Sequence, residues 1–164
     1  MITAAEADTD SDGLEESELL GLTITQLKGL AADAGYELTK TKKADIIEEI
    51  LAAASVDLTG DLDADDLALF TAAKIVAIGA DRGYDITETT KANIITAFTT
   101  TQAVDITDTL TDTELGYLTV AKILAIAEDR GYTMTSTAET TKATVITEFL
   151  AAQEAAAISE GAGS

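Results

Sequence analysis

Thr71-Ala-Ala-Lys-Ile-Val-Ala-Ile-Gly-Ala-Asp-Arg-Gly-Tyr84 decides the reading of this chain, because Thr119-Val-Ala-Lys-Ile-Leu-Ala-Ile-Ala-Glu-Asp-Arg-Gly-Tyr132 repeats it 48 residues later. One period earlier, Thr23-Ile-Thr-Gln-Leu-Lys-Gly-Leu-Ala-Ala-Asp-Ala-Gly-Tyr36 keeps the threonine, the aspartate, the glycine–tyrosine pair and the apolar positions. Leu27 and Leu30, Ile75 and Ile78, and Ile123 and Ile126 fall at the spacing of one helix face. A leading threonine supplies an N-cap oxygen, and a trailing glycine supplies the left-handed residue that most easily ends a helix. Each stretch is therefore expected to be a helix that starts at Thr23, Thr71 or Thr119 and stops at Gly35, Gly83 or Gly131.

The match extends on both sides. Upstream, Leu19, Leu67 and Leu115 align; Asp63 and Thr111 are placed to cap a short lead-in helix, and Thr111-Asp-Thr-Glu114 has the form of a capping box. Val56-Asp57-Leu58-Thr59 and Val104-Asp105-Ile106-Thr107 open the second and third copies almost identically and mark their boundaries. Downstream comes an extended stretch rich in β-branched residues, such as Tyr84 to Thr90, and then a second helix capped by Thr41, Thr90 or Thr141. It carries the largest apolar stripe: Ile46, Ile47 and Ile50; Ile94, Ile95 and Phe98; Val145, Ile146 and Phe149. The third copy has three extra loop residues, and its last helix runs on through Ala151 to Ala157.

Self-similarity at a fixed period is the signature of a repeat architecture. The expected fold is all-α: three tandem units of helix, extended loop and helix, each with a short lead-in helix. The divisions are an acidic N-terminal segment (1–13), units at 14–55, 56–103 and 104–158, and a flexible tail (159–164). Forty-eight residues is little for an independent core, so adjacent units are expected to pack together. Tyr36, Tyr84 and Tyr132, each beside a helix-ending glycine, read as packing residues. Gly79 stands where Ala31 and Ala127 stand in its neighbours; it either allows a close approach or weakens the middle helix.

Composition agrees. The chain is 46% apolar with 4% aromatic residues and no proline, which favours helices. Thirty acidic residues against ten basic ones give a net charge of −20. Such a surface either faces a basic partner or is the solvated surface of a protein working in concentrated salt, where screening is strong. Scarce basic residues with abundant Asp and Thr favour a halophilic host, while eight Lys against two Arg count against one. With no His and no Cys, the usual general base, thiol nucleophile and Ser-His-Asp arrangement are missing, and no residue is a candidate catalyst. Met1 to Asp12 lacks a basic and apolar leader, and no apolar run reaches eighteen residues, so neither a signal peptide nor a membrane span is expected.

The pattern Leu22-Thr-Ile-Thr-Gln-Leu-Lys-Gly-Leu-Ala-Ala-Asp-Ala-Gly-Tyr36 followed by Thr39-Lys-Thr-Lys-Lys-Ala-Asp-Ile-Ile-Glu-Glu-Ile50 resembles the helix-extended loop-helix family, which includes the HeH, LEM, SAP and Rho N-terminal domains. The resemblance covers about thirty residues of each unit and is best in the first. It implies one of two functions. HeH-like units at home in tailed-phage structural and head-accessory proteins imply a non-enzymatic structural or adaptor role in a virion or the host cytoplasm. The partners would then be virion structural proteins, with a homo-oligomer a further option. Members of the SAP and Rho type imply a nucleic-acid-binding accessory protein, and only Lys40, Lys42 and Lys43 match their basic loop. The other copies carry Thr-Glu-Thr-Thr-Lys91 and Glu139-Thr-Thr-Lys142 there, and a −20 chain is poorly equipped to neutralise phosphates.

Asp8-Thr-Asp10-Ser-Asp12-Gly13-Leu14 reproduces the opening of a Ca²⁺ loop, with carboxylates at alternate positions and a glycine for the turn. Asp8, Asp10, Asp12 and Glu16 are the candidate ligands, and Ca²⁺ is the one cofactor in view. The twelfth position is Leu19 instead of a bidentate Glu. The competing reading is an acidic lead that favours the start of the first helix through its dipole.

Overall fold

The structure is a computed structural model that describes residues 15–163. The described chain is all-helical: α1 (Glu16–Leu20), α2 (Ile24–Ala34), α3 (Lys43–Ala54), α4 (Ala64–Ala68), α5 (Ala72–Arg82), α6 (Lys91–Gln102), α7 (Asp112–Gly116), α8 (Val120–Asp129) and α9 (Lys142–Gly163). Strand-type pairing is confined, among the described residues, to two isolated antiparallel bridges, Tyr36 with Phe70 and Tyr84 with Leu118. No described helix is long and apolar enough to cross a membrane.

The helix ends form where the threonines and glycines direct them. Thr23 accepts from the Gln26 N–H at 3.1 Å while the Gln26 side chain accepts from the Thr23 N–H at 2.9 Å, a closed capping box at the start of α2. Thr111 with Glu114 and Asp63 with Asp66 close the same box on α7 and α4. Thr71, Thr90 and Thr119 accept from the N–H three residues on. Gly35, Gly83 and Gly131 have φ of 83°, 85° and 77°, and they alone among the described residues adopt positive φ.

Two local details differ from the sequence reading. Lys42, not Thr41, is the N-cap of α3, and it makes no side-chain cap bond. The preceding loop is tethered instead: Glu49 accepts from the Thr39 hydroxyl at 2.6 Å and from the backbone N–H groups of Thr39 and Lys40 at 3.0 Å. The last helix continues to Gly163, past Ser159 where the sequence places a polar tail.

By contact density the chain divides into two compact units, Met1–Ile75 and Val76–Ser164. In the first, Leu19, Leu27, Ala31, Ile46, Ile47 and Ile50 are buried together, with Leu22, Leu30, Tyr36, Leu38 and Leu51 packed around them. In the second, Leu110, Leu115, Leu118, Ile123, Ile126, Ala127, Val145, Ile146 and Phe149 form the corresponding cluster. Burying each such large apolar side chain contributes about 1.5–3 kcal/mol, which dominates the short helices' own weak tendency to form. Gly79 acquires a steric reason: a Cβ there would lie 2.7 Å from Ile86 Cδ1 and 3.5 Å from Phe98 and Tyr84. The close approach, of the two options, is the one realised.

Candidate protein-docking site

The feature that recurs in both units is a short backbone seam at the glycine–tyrosine turn. In the first unit, the Thr71 N–H donates to the Gly35 carbonyl at 2.9 Å and the Glu37 N–H donates to the Leu69 carbonyl at 2.8 Å. These two bonds flank the Tyr36–Phe70 bridge. In the second, Thr119 N–H to Gly83 O at 2.9 Å and Asp85 N–H to Tyr117 O at 2.8 Å flank Tyr84–Leu118 in the same register. At each turn the left-handed glycine supplies the acceptor and the residue after the tyrosine supplies the donor, so the turn is a two-point template for a short extended segment.

Side chains complete the seam. Tyr36 meets Phe70 edge-on at 5.8 Å between ring centres. Tyr84 and Tyr132 meet Phe98 and Phe149 of their own copies at 5.1 and 5.3 Å. The stems of Lys74 and Lys122 lie over Gly35 and Gly83 so closely that a Cβ on either glycine would fall 2.7 Å from the lysine Cβ. Lys142 at the start of α9 pairs with Asp85 at 2.6 Å and also donates to the Gly116 carbonyl, tying the residue after the tyrosine to the lead-in helix. Lys43, its counterpart in the first copy, donates to the Leu20 carbonyl at 2.8 Å.

The third glycine–tyrosine turn stands apart. Among the described residues, the Gly131 carbonyl and the Thr133 N–H take part in no backbone bond of this kind. A Cβ on Gly131 would meet nothing within 4 Å. Next to it opens a groove of about 670 Å³ between α9 and the 107–109 loop, lined by Arg130, Tyr132, Leu150, Gln153, Ala156 and Ala157 among others. Its polar floor is already engaged. Arg130 stacks on Phe149 at 5.6 Å and donates to Gln153 at 3.0 Å and to the Ile106 carbonyl at 2.7 Å, while Gln153 bonds both the N–H and the C=O of buried Leu110.

The loops that shape the turns are fixed by carboxylates. Glu148 accepts from the Thr135 hydroxyl and N–H and from the Ser136 N–H, and hydrogen bonds from Ser136 and Thr135 hold its carboxyl down at about 2. Slight burial raises the Glu49 carboxyl, but the bonds from Thr39 and Lys40 and the Lys40 charge outweigh it and leave the group below its ordinary value. Thr107 does the same to Asp105 through its hydroxyl and N–H. Ala97 occupies this clamp position in the middle copy.

Of the residues singled out from sequence, Lys40 and Lys42 are exposed, whereas Lys43 is half-buried with its ammonium bonded to the lead-in helix. Asp8, Asp10 and Asp12 lie outside the described residues; Glu16 is exposed in the first turn of α1. Among the described residues no three carboxylates gather in a way that could hold a metal ion. Sequence reading missed the Arg–Phe–Gln group. Its signal was available: Arg82, Phe98 and Gln102 recur as Arg130, Phe149 and Gln153, while the first copy has Ala34, Ile50 and Ala54 in all three places. The comparisons leave the geometry to speak alone, since no protein-family model, curated protein or solved structure matches the chain.

Proposed function

We propose that the chain is a non-enzymatic structural or adaptor protein built of three tandem helix-extended loop-helix units, working through protein–protein contacts as a head or head–tail component of a tailed-virus particle. The observation that carries this reading is the seam itself: the glycine–tyrosine turn twice captures a short extended segment by two backbone bonds and an apolar contact. Such a turn is a protein-binding element, and the third one lies beside an open groove. The engagement of Lys43 with the Leu20 carbonyl takes one of three cations away from the nucleic-acid reading. The −20 surface suits work in concentrated salt, where repulsion between copies and partners is screened.

The test is particle composition. Particles purified on a density gradient from a culture that makes this protein are expected to contain the chain at a fixed copy number by quantitative mass spectrometry. Its absence from particles, with all of it free in the lysate, removes the virion role.

A further inference from the structure

We propose that this chain associates head to tail with a second copy of itself, the Gly21–Leu22–Thr23 segment of one molecule docking on the Gly131–Tyr132–Thr133 turn of the next. The inference rests on the protein-contact reading and names the partner that the third turn takes.

The contact already made twice inside the chain supplies the argument. The segments captured there are Leu69–Phe70–Thr71 and Tyr117–Leu118–Thr119. One period earlier, Gly21–Leu22–Thr23 has the same place between a lead-in helix and a threonine-capped helix, and its central residue, Leu22, is the residue found at Leu118. The Gly21 carbonyl is in no backbone bond among the described residues. The Thr23 N–H is held only by the exposed Gln26 side chain at 2.9 Å, where Thr71 and Thr119 donate to a glycine carbonyl. One acceptor is thus left at Gly21, and the Thr23 donor is reached by displacing the exposed Gln26 side chain, while the complementary donor and acceptor at Thr133 and Gly131 are in no backbone bond of this kind. Superposing this pair on the internal register gives Thr23 N–H to Gly131 O and Thr133 N–H to Gly21 O, with Leu22 against Tyr132.

A second observation points the same way. The large hydrophobic side chains most exposed among the described residues are Leu20 (55%), Ile24 (37%), Ile106 (36%) and Ile158 (65%). Leu20 and Ile24 flank Leu22; Ile106 precedes the loop that lines the groove beside Tyr132, and Ile158 follows the α9 residues that line it. Apolar surface is therefore left uncovered on the two partners of this contact, as at surfaces that a partner covers. Gln26 replaces the lysine that lies over Gly35 and Gly83, and the open space over Gly131 accommodates it. Thr133 replaces the acid that pairs with Lys142, so the intermolecular seam keeps both backbone bonds and lacks the ion pair. It is a weaker copy of the internal contact, and a heterologous one, which builds chains or closes into a ring.

Light scattering coupled to size exclusion, run on the full chain over a concentration series in about 1–3 M salt, where the Debye length is about 3 Å or less, reads the association directly. The wild type is expected to rise from 17.0 kDa through successive multiples. Leu22→Asp, which spoils the docking segment, and Thr133→Pro, which removes the donor of the turn, should each remain at monomer mass. Mixed one to one, the two variants keep one good partner surface each and should stop at twice that mass. Ile158→Asp and Leu20→Asp, both exposed and outside the cores, should each weaken association at least tenfold and cover the cases in which the proline variant or the Leu22 variant misfolds. A wild type that stays monomeric at every concentration overturns the self-docking and leaves the particle experiment to decide the broader reading. An oligomer that persists in both single variants, or a mixture that never dimerises, overturns it equally.

Discussion

Gly83 and Gly131 offer a controlled pair, because both end a helix with positive φ in the same compact unit but only one is covered. Placing alanine at either forces an L-residue into the left-handed region, at about 1–2 kcal/mol, partly offset by about 0.4–1 kcal/mol from the stiffer unfolded chain. For Gly131→Ala nothing else changes, since no atom lies within 4 Å of the new methyl group. The net cost is about 0–1.6 kcal/mol from these terms. For Gly83→Ala the methyl group meets Lys122 Cβ and Cδ at 2.7 Å. Swinging the lysine away removes the Cδ contact and not the Cβ one, which is fixed to α8. The strand-like pair must then part, weakening the bonds at 2.9 and 2.8 Å that join Gly83 to Thr119 and Asp85 to Tyr117. Overpacking of this kind adds about 1–3 kcal/mol, so Gly83→Ala should cost about 1–4.6 kcal/mol in all and about 1–3 kcal/mol more than Gly131→Ala. Urea unfolding followed by circular dichroism gives the comparison as midpoints at a common slope. Lys122→Ala should fail to rescue Gly83→Ala, because alanine retains the offending Cβ. Equal losses at the two glycines, or rescue by Lys122→Ala, would refute the reasoning that the Lys122 Cβ, fixed to α8, is what closes over Gly83.

Glu148 is held down at about 2 by Ser136 and Thr135, so its stabilisation is fully present above the ordinary carboxylate value and fades as pH falls from there toward 2. The difference in melting temperature between wild type and Glu148→Gln should therefore be largest near neutrality and narrow over that window, the protonation of other acidic groups cancelling in the difference; a gap independent of pH contradicts it. Gln153→Leu leaves the N–H and C=O of Leu110, a residue 1% exposed, without their side-chain partner, and should cost about 1–3 kcal/mol in urea titration; a loss under about 0.5 kcal/mol would show that water replaces it. DNA should not be retained at low salt, and retention that the Lys40→Ala, Lys42→Ala double variant abolishes would favour the nucleic-acid reading. Calcium bound by Asp8, Asp10 and Asp12 predicts a melting temperature that rises with Ca²⁺ and no longer does so in Asp10→Ala; an unchanged curve disposes of that site.

The fold class was legible because three signals agree at α2, α5 and α8: threonine before, apolar period within, glycine after. Thr23, Thr71 and Thr119 cap as expected, and Gly35, Gly83 and Gly131 take positive φ. The reading slipped where a distant side chain overrides a local one. Thr41 has the right chemistry to cap α3, but Glu49, ten residues beyond Thr39, fixes the loop and leaves Lys42 at the cap. Gly79 could not be interpreted alone because its reason is Ile86, seven residues on in the loop, whose branched side chain fills the space a methyl group would take. The seam was not legible at all, since it consists of backbone bonds between a turn and the next lead-in segment, and backbone bonds leave no mark on residue type.

What the sequence does record is which contacts each copy makes, in the places where the copies disagree. The first copy has Ala34, Ile50 and Ala54 together, and it is the copy whose tyrosine is matched edge-on by Phe70 of the next segment instead of a phenylalanine of its own. The middle copy lacks the loop carboxylate and has Ala97 there, and it is the copy in which Ile86 seats over Gly79 to hold the loop by packing instead. The third copy has Thr133 after its tyrosine where Asp85 follows Tyr84, and its turn is the one with no captured segment. Departures from the repeat thus coincide with changes of neighbour, and residues that agree in all three copies are those that fold each helix. By that logic Leu22 is informative: it keeps the apolar character of Phe70 and Leu118 although no internal glycine–tyrosine turn precedes it. Part of that character is used inside the first unit, where Leu22 packs against the core; the apolar surface that this packing leaves uncovered is Leu20 and Ile24 on either side, which is what a partner would cover.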